Sequence, residues 1–140
     1  LISCASSEEC RESVSVNLTA GIYKVNNTTT TSLTVDSVWL NGLAKDSFLL
    51  KNKKTVKMLY MPLNPAGFIS TYQVRFNNIT DTITVFYTTN NAYFISLACG
   101  CIATQQIDEI ITSTNFIDSV QIINRDVTNQ NAENIRIFHN

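Results

Sequence analysis

Thr71–Phe76, TYQVRF, and Thr82–Tyr87, TITVFY, decide the fold class. In the first, Tyr72, Val74 and Phe76 alternate with Thr71, Gln73 and Arg75. In the second, Ile83, Val85 and Tyr87 alternate with Thr82, Thr84 and Phe86. A period of two puts each set on its own face of a pleated strand, apolar inward and polar outward. β-Branched and aromatic residues fill both stretches, and these are the types that pack well on such a surface.

The pattern continues on either side. Downstream, Asn90-Asn91 predicts a turn into Tyr93–Cys99, read as the hairpin partner of the preceding strand. Upstream, Asn64-Pro65-Ala66-Gly67 predicts another turn, and Leu59, Met61 and Leu63 form an inward set, with Pro62 at an edge or strand end. Phe48–Lys51 reads as a short strand before a lysine-rich turn, Lys51-Asn52-Lys53-Lys54. Val38 and Leu40 alternate with Ser37, Trp39 and Asn41, and Val14, Val16, Leu18 and Ala20 alternate with Ser13, Ser15, Asn17 and Thr19. Asn26-Asn27 and the threonines after them read as a polar, turn-like interval. Val120 with Ile122, and Ile135 with Ile137, supply the last two strands. Ile107, Ile110 and Ile111 carry helical spacing, but so short and β-branched a segment favours strand. The expectation is a single antiparallel β-sandwich, immunoglobulin-like or transthyretin-like, of about 7–9 strands. Residues 1–10 read as a tether and 11–140 as one domain.

Only 15% of the 140 residues are charged, and Thr, Ser and Asn carry the polar balance, as strands and turns require. A net charge of −1 leaves no cationic excess for phosphates, so a nucleic-acid partner is not expected. No apolar run is long enough to cross a bilayer as a helix.

Leu1-Ile2-Ser3-Cys4 matches the end of a bacterial lipobox, with a small residue before the cysteine that takes diacylglycerol. The following Ala5-Ser6-Ser7-Glu8-Glu9 is small, polar and acidic, as suits a tether. Cys4 is therefore the expected lipid anchor, holding the domain to the outer membrane of the cell envelope. Of the remaining thiols, Cys10 and Cys99 are the expected disulfide and Cys101 the one left over, although sequence cannot choose among pairings. No metal site is expected from Cys99-Gly100-Cys101, which is not a CxxC, with one histidine at position 139.

Several segments together resemble a family of Bacteroidetes cell-envelope lipoproteins known only as a domain of unknown function. They are Leu40–Leu50 (LNGLAKDSFLL), Met61–Pro65, Ala98-Cys99-Gly100 and Thr112–Phe138, joined by Cys4 and Cys10. The resemblance covers nearly the whole chain, and IDSV and VTNQNAENI are its most specific parts. It implies a β-sandwich envelope protein with no assigned activity, catalytic residues or cofactor. Cys101 lies outside that family's pattern.

Catalytic groups are sparse. His139, near the terminus, is expected to fray, and the carboxylates Asp36, Asp46, Asp81, Asp118 and Asp126 fall at turns or strand starts. An enzyme is not expected, and no cofactor. Trp39, Tyr60, Phe86 and Phe94 are the candidate binding surface, in a register that aims them away from the core. The expected role is a non-catalytic structural or protein-interaction module that binds another envelope protein. A surface carbohydrate-binding module and a pilus or adhesin-type subunit are the alternatives.

Overall fold

Residues 15–43 and 48–140 are described in a computed structural model, and every regular element among them is a strand. In chain order these are β1 (Asn17–Asn26), β2 (Thr29–Ser32), β3 (Val35–Gly42), β4 (Phe48–Val56), β5 (Met58–Pro62), β6 (Ile69–Phe76) and β7 (Ile79–Thr89). There follow β8 (Tyr93–Ser96), β9 (Gly100–Ile102), β10 (Gln105–Thr112), β11 (Ser119–Ile122), β12 (Asp126–Val127) and β13 (Glu133–His139). Two sheets face each other across one core. The first runs β11-β13-β1-β2 with β5 also on β1, and the second runs β12-β10-β7-β6-β3-β4. The chain is all-β, with the sheets of a sandwich.

The alternation read from sequence is the burial observed. Tyr72, Val74 and Phe76 on β6 and Ile83, Val85 and Tyr87 on β7 are buried. From the opposite sheet they meet Leu18, Ala20 and Ile22 of β1, Leu59 and Met61 of β5, and Ile135 and Ile137 of β13. Each Val, Leu, Ile, Met or Phe side chain among them contributes roughly 1.5–3 kcal/mol on leaving water. The Asn64 turn forms as expected: the Gly67 amide donates to the Asn64 carbonyl at 3.0 Å, and the Ala66 amide to the Asn64 side chain at 3.0 Å. Two tyrosines tie this turn to the second sheet. The Tyr72 hydroxyl donates to the Pro62 carbonyl, and that of Tyr87 donates to the Asn64 carbonyl at 2.8 Å.

Five details depart from expectation. More strands form than expected, thirteen among the described residues, because several are broken by bulges or are very short. Not all pairs are antiparallel: β1 and β13 run parallel, aligning Ala20 with Ile135 and Ile22 with Ile137, so that apolar faces coincide. Lys51–Lys54 is strand rather than turn. There Asn52 and Thr55 adopt φ of 52° and 53°, and the register against β3 slips, so β4 bulges without reversing. Thr29–Ser32 form β2, and only Asn27-Thr28, with Asn27 at φ 53°, make the reversal. Finally, Tyr93–Ser96 does not join β7. That strand has β6 on one side and β10 on the other, so β8 pairs with β9 in a separate hairpin.

A bulge also explains the helical spacing near residue 107. On β10 the register jumps from Ile107 opposite Tyr87 to Glu109 opposite Phe86. The extra residue turns Ile110 back toward the core beside Ile107, while Ile111 is left exposed.

Candidate functional site

The structure separates the four aromatics expected to share a surface. Trp39 and Phe86 both face outward on the second sheet, but Trp39 aligns with Arg75 and Arg75 with Thr80, whereas Phe86 aligns with Ile69 at the other end of β6 and β7. Tyr60, half exposed, lies on β5 in the other sheet, and Phe94 is on the β8–β9 hairpin. There is no common row. An alternating pattern defines faces within each strand, but the pairing of strands decides which outward residues become neighbours.

What the structure assembles instead is a cleft around Trp39. Phe48, Arg75, Asn41, Gln73 and Thr80 complete a shallow, half-open hollow of about 250 Å³. The Phe48 ring meets the indole edge-on, with centroids 5.4 Å apart and planes at 74°. The Arg75 guanidinium lies over the indole, 4.9 Å from its centroid. This cation–π contact holds the guanidinium in place without using its N–H donors. Arg75 makes no hydrogen bond or ion pair with any described residue. The indole Nε1–H is buried and likewise unpartnered. Beside the cleft, Asn52 accepts from the Ser37 hydroxyl at 2.5 Å and from Lys54 Nζ at 3.2 Å, which places Lys54 next to it.

Arg75, Gln73 and Asn41 were legible as outward residues, but not as partners of Trp39. That required the β3–β6 register, Trp39 opposite Arg75 and Asn41 opposite Gln73. Phe48 was hidden further, because the β4 bulges bring it opposite Asn41.

Buried polar groups elsewhere are committed to structure. Asp81, 1% exposed, accepts from the Ser113 hydroxyl at 2.6 Å and from the amides of Asn115, Phe116 and Ile117 at 2.8, 2.7 and 2.9 Å. Burial pushes its carboxyl up, but the Ser113 hydroxyl and the three amides together outweigh burial and hold it below the usual carboxylate range. Burial pushes the Tyr72 phenol up to about 12. His139 does not fray. It closes β13, stacked on Phe116, with Nδ1 2.7 Å from the Phe116 carbonyl oxygen. On the outer face of the first sheet, Glu133 accepts from the Tyr23 hydroxyl at 2.6 Å and from Arg136 Nε at 2.9 Å. The hydrogen bond to Glu133, then burial, raises the Tyr23 phenol.

Cys99 and Cys101 are both disulfide-bonded. Cys101 is therefore not the thiol left over, as the sequence reading had it. Cys4 and Cys10, the expected anchor and the expected partner of Cys99, lie outside the described residues, as does the 1–10 tether. Among the described residues no three His, Cys, Asp or Glu side chains group as metal ligands, and no helix is long and apolar enough to cross a membrane.

No curated protein and no solved structure matches the chain. A family model does match, over residues 32–139, which takes in the Trp39 cleft, the Asp81 anchor and every strand from β3 to β13. The chain belongs to DUF6452, a family of unknown function.

Proposed function

We propose that this chain is a non-catalytic cell-envelope lipoprotein, tethered to the outer membrane through Cys4, whose sandwich binds another envelope protein through the Trp39 cleft. The cleft carries the reading. Trp and Arg are the residues most enriched where protein interfaces concentrate their binding energy, and here they are stacked together with unused donors. Against catalysis stands the commitment of the other polar groups: Asp81 spends its oxygens on four donors, and His139 is held by stacking and by a backbone carbonyl. A glycan-binding reading has the Asn41 and Gln73 amides in its favour, but Arg75 covers an indole face that a sugar ring would need.

The oxidised state of Cys99 and Cys101 supports export, since disulfides persist in oxidising compartments. It also sets a chemical condition on the tether. One sulfur cannot carry both diacylglycerol and a disulfide. Acylating Cys4 leaves three thiols of the four, too few to give Cys99 and Cys101 separate partners within the chain. Mass spectrometry of native, unreduced protein decides the matter. A diacylglycerol thioether on the Cys4 peptide supports the tether, and a Cys4 peptide crosslinked to Cys99 or Cys101 removes it. For the binding role, a photocrosslinker placed at Gln73 should capture one reproducible protein from intact envelopes. Capture of nothing, or an equal yield from a position on β2, would overturn that role.

A further inference from the structure

We infer that the Trp39 cleft is a receptor for a carboxylate on an acidic peptide segment, with Arg75 as the residue that grips it; this rests on the protein-binding role proposed above. Among the described residues, no side-chain donor that lines the hollow makes a hydrogen bond. The Arg75 guanidinium offers a planar fork that matches a carboxylate in bidentate fashion, and the cation–π contact already fixes it, so little side-chain freedom is lost on binding. Amides of Asn41 and Gln73 flank it, and the buried Trp39 N–H has no acceptor. None of the described residues lining the hollow is acidic.

The surrounding charge points the same way. Lys51, Lys53 and Lys54 lie on β4, the edge strand next to β3, and Lys57 follows it. Of the acids in this sheet, Asp36 is exposed on β3, Asp81 is buried on β7, and Asp108 and Glu109 on β10 and Asp126 on β12 lie three or more strands from β3. In a protein of net charge −1, β3, β4 and β6 thus carry Lys51, Lys53, Lys54 and Arg75 against Asp36 alone, and this cationic edge of the sheet would draw an acidic chain toward the cleft. Lysines on an edge strand also discourage sheet-to-sheet aggregation. That role accounts for the lysines, but not for an arginine stacked in a cleft near the C-terminal end of β6. Phe48, half exposed at the rim, offers apolar contact to residues beside the acidic one. A peptide, which alternates side chains over a few ångströms, can use the arginine, the lysines and the phenylalanine together.

Trp39 is the only tryptophan, so its fluorescence reads the cleft directly. Titration of the full chain with octa-glutamate should give a saturable change that weakens as salt is added, and octa-glutamine should give none. Arg75→Gln should weaken binding at least tenfold, Arg75→Lys should fall between, and Lys54→Gln should cost less than Arg75→Gln. Far-UV circular dichroism confirms that each variant is folded, and the lysine variant retains the cation should the glutamine variant fail to fold. No response to octa-glutamate overturns the inference, as does equal affinity in wild type and Arg75→Lys. A response to an oligogalacturonate or to anionic vesicles, with none to octa-glutamate, also overturns it. Capture of a protein at Gln73 alongside a failed peptide titration would overturn the acidic-peptide inference alone. A successful titration with no captured protein would overturn only the envelope-partner reading.

Discussion

The imidazole of His139 lies parallel to the ring of Phe116, with centroids 3.8 Å apart and planes within 1°. On its other side Phe116 stacks on Phe76, at 4.4 Å and 16°. Phe76 belongs to β6 of the second sheet and His139 to β13 of the first, so this three-ring column pins one sheet to the other at the end of the core. His139→Ala should lower stability by about 1 kcal/mol, the usual size of an aromatic pair, and His139→Phe should restore part of it. Urea denaturation followed by circular dichroism measures both. No loss in the alanine variant would mean that the column bears nothing.

Phe116 is held in that column by Asp81, which gathers the amides of residues 115–117. Asp81→Ala leaves buried amides without an acceptor and should cost about 3–5 kcal/mol, at one to several kcal/mol for each group stranded. The same carboxylate makes the protein sensitive to acid. Its folded pKa lies below the unfolded value of 3.8, so its contribution is complete above pH 4 and is lost as pH falls through the folded pKa. Stability measured from pH 6 to pH 2 should drop most steeply below pH 4. In Asp81→Asn that drop should shrink.

At the alkaline end Tyr72 takes over. Its folded pKa of about 12, against 10.0 unfolded, means that the unfolded chain loses its proton first. The stabilisation is complete below pH 10 and disappears as pH rises toward 12, a loss of about 2–3 kcal/mol. Tyr72→Phe should cost about 1 kcal/mol at neutral pH through the lost bond to Pro62, yet flatten the alkaline decline. Phenolate absorbance should show one tyrosine ionising only as the fold is lost.

Asn134, 1% exposed, stands where the β1–β13 register slips. Its side-chain oxygen accepts from the Thr19 amide at 2.9 Å, and its nitrogen donates to the carbonyls of Asn124 and Asp126 at 3.0 and 2.8 Å. An amide is the one side chain that both donates and accepts here. Asn134→Asp should therefore destabilise by about 2–4 kcal/mol, because it sets a carboxylate against two carbonyls. Asn134→Leu should cost a similar amount by stranding all three groups. Thermal melts of the two variants check this, and a melting temperature unchanged in either would refute the role.

How far these features were legible in the sequence depends on the range of the physics behind them. Alternation is local, so the inward sets Tyr72-Val74-Phe76 and Ile83-Val85-Tyr87 and the Asn64 turn were readable directly. Bulges are not local in the same way. Asn52 and Thr55 look like turn residues, and only the neighbouring β3 shows that the chain continues straight through them. Asp81 could be read as polar and near a strand start, but its partners lie more than thirty residues on, joined to it by folding alone. The Trp39 cleft failed in the same way. Each lining residue faces outward as expected, yet only the register shows that Arg75, rather than Tyr60 or Phe94, is the neighbour of the indole.

The parallel ladder between β1 and β13 joins residues 115 positions apart at Thr19 and Asn134. High contact order of this kind slows folding, because the entropy of closing so large a loop is lost before the contacts return it. A ribosome delivering the polypeptide stepwise would let β1 pair with β2 and β5 early, but would leave its β13 edge open until nearly everything else had emerged. The first sheet should therefore close only after release, with the last seven residues of strand acting as its latch.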